Sequence, residues 1–126
     1  MKLILRLAMA MTTLLVFSGC DQNTKRTATL LTGGGNADKG REEIEYFGCA
    51  SCHIVPGVAG ANGSIGPSLA QIGNRAYIGG VVKNSPENLI RWIQNAPALS
   101  PRTAMPDLET PEKSAKDIAC YLYTLK

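Results

Sequence analysis

The residues with the most chemistry in this sequence stand together, in the run Cys49-Ala50-Ser51-Cys52-His53. Two thiols three positions apart can each add to one of two vinyl groups on a single porphyrin edge. The histidine that follows then lies under the ring, with its imidazole at the iron. This is the attachment spacing of a c-type haem. Rival readings of the same residues exist. Zinc would need four N or S ligands, and no second pair follows, because the remaining cysteines, Cys20 and Cys120, are isolated. A thioredoxin-like redox pair calls for alternating strands and helices, which the sequence lacks. A plain disulfide between Cys49 and Cys52 is the simplest alternative. The adjacent histidine and the surroundings described below favour one covalently bound haem.

A second iron ligand follows by elimination. His53 is the only histidine, so two histidines from one chain are excluded. Of the four methionines, Met1, Met9 and Met11 lie in an N-terminal stretch expected to be removed, which leaves Met105. Met105 precedes Pro106 in a loop and off any helical stripe. A methionine is often core filler, but its loop setting and uniqueness favour a thioether ligand. Histidine and methionine together saturate the iron and raise its potential, which suits electron transfer.

These residues need elements to hold them. Residues 37 to 47 put Ala37, Ile44 and Phe47 on one face before Gly48, a short amphipathic helix. From Cys49 to Gly80 the sequence reads as loop, with no strand. Ser85-Pro86-Glu87 reads as a helix start, a capping hydroxyl followed by proline in the first turn. Leu89, Trp92 and Ile93 give that helix an apolar face, and Pro97 marks its end. Thr110-Pro111-Glu112 reads as a second start of the same kind. The last helix then carries the stripe Ala115, Ile118, Ala119, Leu122 and Leu125. The fold class expected is all-α: three to four short helices, with long loops around one covalently bound haem. Loops that long in so small a domain must wrap something. Gly and Pro together are 20 of the 126 residues, which fits such a loop-rich chain.

The N-terminus reads as an export signal over 1–19: Lys2 and Arg6, an uncharged run from Leu7 to Phe17, then Ser18-Gly19. The uncharged run is too short for a standard membrane span. Phe17-Ser18-Gly19-Cys20 resembles a bacterial lipobox, with Phe17 departing from the usual aliphatic residue. That resemblance implies lipidation of Cys20 and a protein on the periplasmic side of the cytoplasmic membrane; the alternative is a soluble periplasmic protein. Residues 20–36, polar and threonine-rich with Gly33-Gly34-Gly35, read as a flexible tether. The folded domain is expected over 37–126. Counted from Cys20, 11 basic residues face 10 acidic ones, a balance that offers nothing to nucleic acid.

The segment from Ala37 to Lys126 resembles class I cytochrome c. The pieces stand in family order: Gly40 and Ile44, Gly48-Cys49-Ala50-Ser51-Cys52-His53, Gly66-Pro67-Ser68-Leu69, Met105-Pro106, and Ala119 with Tyr121-Leu122. The stretch from Pro86 through Trp92-Ile93 to Met105-Pro106-Asp107-Leu108 is also similar to the cytochrome c domain fused to subunit II of some haem-copper oxidases. The resemblance implies that Pro67 offers its carbonyl to the His53 ring N–H. It implies that Gly40 lets the first and last helices cross closely, with Tyr121 near the crossing. It makes Arg75, Tyr77 and Trp92 candidates to hold the haem propionates. Cys120, on the last helix, is given no chemistry.

The resulting expectation is an electron carrier and not an enzyme, working between respiratory-chain partners such as a terminal oxidase, with no small-molecule substrate. Arg75, Lys83, Arg91 and Arg102 against Glu87 make the loop region mildly positive, which suits an acidic docking partner. The alternative is a haem-based gas sensor or small peroxidase-like enzyme whose sixth ligand leaves.

Overall fold

The computed structural model describes residues 20–126. The export signal read over 1–19 lies outside the described residues. Five helices are present among those described: α1 (20–31), α2 (Ala37–Tyr46), α3 (Pro86–Gln94), α4 (Ala96–Leu99) and α5 (Glu112–Thr124). A two-residue hairpin, β1 (Tyr77–Ile78) paired antiparallel to β2 (Val82–Lys83), is the one sheet among them. The fold is small, mostly helical and rich in loops.

α2 begins where the Asn36 side chain accepts the Lys39 N–H at 3.0 Å. Ala37, Gly40 and Ile44 form its buried face. It ends at Tyr46, with Phe47 as its cap and Gly48 just beyond at a φ of 72° that suits glycine. That face packs on α5. A Cβ on Gly40 would stand 2.8 Å from Ile118 N and closer still to the Asp117 carbonyl, so only glycine admits the crossing. Asp117 is only 2% exposed at this interface. Its carboxylate accepts from the Asn36 N–H at 2.8 Å and pairs with Lys113 at 2.7 Å, which satisfies a buried charge. Tyr121, one turn on, donates its hydroxyl to the Pro56 carbonyl at 2.5 Å and pins the long loop to α5.

α3 begins as its sequence suggests, with Ser85 Oγ accepting the Asn88 N–H at 3.2 Å and Pro86 in the first turn. Leu89, Trp92 and Ile93 turn inward. Pro97 does not end this helix. α3 stops at Gln94, and Pro97 sits in the first turn of α4, where its missing N–H is harmless.

Three further expectations fail, each for a physical reason. Residues 20–31 are helical, not a tether. α1 buries only the small side chain of Ala28, with Thr32 buried just past its end, and these carry no hydrophobic period to read. Its threonine hydroxyls bond back one turn, Thr24 to the Cys20 carbonyl and Thr27 to the Asn23 carbonyl, both at 3.0 Å. Within 49–80, read as loop throughout, the β1–β2 hairpin turns at Gly79-Gly80, both at positive φ. Thr110 does not cap α5. Pro111 occupies the capping position without a side-chain bond, and Thr110 Oγ1 is buried and unpartnered among the described residues.

Candidate functional site

The segment from Cys49 to Pro106 closes over a cavity of about 300 Å³. Its floor is the helix crossing: Ile44 from α2 and Ile118 and Leu122 from α5. α3 supplies one wall with Leu89, Trp92 and Ile93. Into this apolar space come Cys49, Cys52, His53, Pro67, Arg75 and Met105, all six singled out by sequence spacing or resemblance, as was Trp92 of the wall.

A single 3-10 turn, Cys49–Ser51, presents the thiols. The Cys52 and His53 N–H groups both donate to the Cys49 carbonyl, at 3.2 and 3.0 Å, so the five-residue run coils tightly. Cys49 and Cys52 are free thiols, not a disulfide. Burial pushes the Cys49 thiol up from its usual range, and the nearby Cys52 adds to this, so Cys49 stays protonated at neutral pH.

The His53 ring is fixed on one side. Its Nδ1 lies 2.6 Å from the Pro67 carbonyl oxygen. A carbonyl can only accept, so Nδ1 carries the hydrogen, and in the neutral ring Nε2 keeps its lone pair. Gly66 makes room for the ring: a Cβ there would lie 2.7 Å from Nδ1 and 3.0 Å from Nε2. Met105 reaches the same cavity from the loop before α5, its own N–H donating to Thr103 Oγ1 at 3.2 Å.

Among the described residues, Arg75 is the only Asp, Glu, Lys or Arg lining the cavity. Its Nη2 donates to the Ala70 carbonyl at 3.1 Å and also to the Ser68 carbonyl. Trp92 is buried against the hairpin turn, where a Cβ on Gly79 would sit 2.7 Å from the indole Cζ2. Tyr77 is not brought to the site. It stands on β1, 59% exposed and outside the cavity lining. Cys20 is likewise remote from the cavity and exposed, in a shallow cleft with Tyr121 and Leu125. Cys120 is buried with Thr29 Oγ1 at 3.6 Å from its sulfur.

Sequence reasoning assigned nothing to Gly66 beyond family order, and missed Gly79, Thr103 and Asn84. Gly79 had a sequence signal in the Gly-Gly pair. Asn84 had none. Among the described residues, no three His, Cys, Asp or Glu side chains cluster to hold a metal by themselves. The site offers two thiols, one imidazole nitrogen and one thioether around an apolar space. That donor set fits a flat, apolar, iron-bearing ring better than a bare ion.

Over 91 residues the chain is 33% identical to cytochrome c oxidase subunit 2 of Alkalihalophilus pseudofirmus, a match covering 71% of this chain and 26% of that protein. The chain thus spans about a quarter of the curated relative it matches. No family model matches the sequence. No solved structure matches it either.

Proposed function

We propose that the protein is a monohaem c-type cytochrome that passes single electrons between respiratory-chain partners. One observation carries the reading: two unpaired thiols, an imidazole with Nε2 left free and a lone thioether line one apolar cavity. Cys49 and Cys52 would hold the haem by thioether links, and His53 and Met105 would be its axial ligands. When bound, the group supplies a one-electron valence change at iron. The chain's part is orientation and exclusion of water. The Pro67 carbonyl holds the imidazole in one tautomer and one plane. The apolar walls lower the local dielectric.

Similarity to an oxidase subunit supports a place beside a terminal oxidase or another respiratory complex. The lipobox-like run ending at Cys20, and the exposure of Cys20, support attachment to the outer face of the cytoplasmic membrane through a lipid there. Among the described residues no helix is long and apolar enough to cross a membrane.

The test is an absorption spectrum of the purified protein, oxidised and reduced, with carbon monoxide added to the reduced form. A low-spin c-type spectrum that ignores the gas supports electron transfer with both ligands in place. A spectrum that shifts moves the protein to a gas sensor or peroxidase-like enzyme with a labile sixth ligand. A colourless protein refutes haem binding altogether.

A further inference from the structure

Asn84 lies outside the cavity wall, yet its side chain is fully committed, to the segment that carries Arg75 and to α5. Its Nδ2 donates to the carbonyls of Ile72 and Arg75, both at 2.8 Å. Two carbonyl acceptors settle which atom is nitrogen, so Oδ1 is the acceptor. Oδ1 takes the hydroxyl hydrogen of Tyr123 at 2.8 Å. The Asn84 N–H adds a bond to the Ala76 carbonyl at 2.9 Å. Tyr123 belongs to α5 and is buried. Asn84 therefore ties residues 72–76 to the last helix, the helix that also floors the cavity.

Arg75 is gripped at both ends by this arrangement. Its backbone is held by Asn84, and its guanidinium Nη2 by the Ser68 and Ala70 carbonyls at the cavity wall. Its other guanidinium N–H groups have no hydrogen-bond partner among the described residues, and so are free for an acidic group of a bound ring. A fixed cation beside a redox centre favours the less positive, reduced state. Its influence falls with distance and with access of water.

We infer that Asn84, braced by Tyr123, is a positioning residue for Arg75: it fixes the strut from which the guanidinium reaches the cavity wall, and so tunes the reduction potential of the bound group. The inference rests on the haem reading of the cavity. Asn84 touches no ligand itself and acts only through Arg75.

The test uses the full chain carrying its haem. Midpoint potentials are measured spectroelectrochemically for wild type, Arg75→Gln, Asn84→Ala, Tyr123→Phe and the double variant Asn84→Ala/Arg75→Gln, with a thermal melt of each. Arg75→Gln lowers the potential. Asn84→Ala and Tyr123→Phe lower it in the same direction by a smaller shift. The double variant goes no lower than Arg75→Gln alone, the coupling expected of two residues acting through one charge. Tyr123→Phe removes a single hydroxyl and keeps the test open if Asn84→Ala folds poorly. Asn84→Ala and Tyr123→Phe variants that melt earlier but keep the wild-type potential would overturn the inference, as would shifts that add in full to that of Arg75→Gln. Wild-type protein without haem would overturn it together with the reading beneath it, whereas additivity in haem-loaded protein overturns it alone.

Discussion

Replacing Gly40 by alanine tests the crossing on which the cavity rests. Alanine at a helix interior gains ~1 kcal/mol over glycine, so helix propensity alone predicts a more stable protein. The structure predicts the opposite. The new methyl would stand 2.8 Å from Ile118 N and nearer to the Asp117 carbonyl, where ordinary contact begins at 3.4 Å. These are backbone atoms of α5, so no rotamer change relieves the clash, and the helices must part by more than half an ångström. A gap of about 0.5–1 Å forfeits roughly a quarter to a half of the dispersion at a contact. Overpacked cores lose ~1–3 kcal/mol, and a backbone clash belongs at the upper end. Subtracting the propensity gain leaves a loss of about 2 kcal/mol. For a domain of this size that is a fall in Tm of roughly 8–16 °C. The assay is circular dichroism on heating, with Lys39→Ala on the exposed side of α2 as control, expected to lie within ~0.5 kcal/mol of wild type. A Tm for Gly40→Ala equal to wild type or higher would refute the claim that α2 and α5 meet backbone to backbone.

Three further outcomes follow from the site. Met105→Ala opens the sixth position: the reduced spectrum becomes sensitive to carbon monoxide, and the potential falls by a tenth or more of the ~0.8 V that axial ligands span; an unchanged spectrum would remove Met105 from the iron. Gly66→Ala pushes a methyl into the His53 ring, 2.7 Å from Nδ1. It costs ~1–3 kcal/mol and disturbs the hydrogen bond to Pro67; a variant with wild-type stability and spectrum would count against the packing described. Burial raises the Tyr123 phenol to about 12. The unfolded phenol titrates near ~10, so the stability that the neutral phenol contributes is full below pH ~10 and is lost as pH rises towards 12. Spectrophotometric titration should find one tyrosine ionising about two units late, a feature absent from Tyr123→Phe.

What the sequence could reveal depended on whether the signal was local. The run from Cys49 to His53 declares its chemistry in five residues. The helix carrying Leu89, Trp92 and Ile93 announces its start because Ser85-Pro86 is a local signal, and the Ser85 hydroxyl does cap it. The same reasoning fails at Thr110-Pro111, where one residue of register moves the hydroxyl out of reach of the free N–H groups. Pro67 and Arg75 could be nominated by resemblance, but nothing local says that the Pro67 carbonyl faces His53, fourteen residues away. The same resemblance points to Tyr77, but its place on the hairpin turns it to solvent. Asn84 was invisible because its worth lies in three partners distributed over the loop and α5, a purely tertiary property. Asp117, between Lys116 and Ile118, carries no local signal of burial; the close approach of α2 at Gly40 covers it.

The helix at 20–31 changes what a lipid on Cys20 would do. A free chain of residues 21–36 would let the domain wander roughly 20–25 Å from its anchor, at about 5–6 Å times the square root of its length. The docked helix does not. Its turn into α2 is fitted to α5 at Gly35, where a Cβ would come within 2.8 Å of Cys120 Cβ. Lys25 reaches across to Asp38 at 2.7 Å, a surface pair worth ~0–1 kcal/mol. Ala28 and Thr32 close the contact. Small residues and one surface pair make this a modest attachment, weaker than the α2–α5 crossing. Amide exchange should therefore find the residues around Ala28 protected, but less so than those of α5. Gly35→Ala should release them to near free-peptide rates while α5 stays slow. If these amides exchange freely in the wild type, the helix is undocked in solution, and an anchor at Cys20 would have the long reach that the sequence alone suggested.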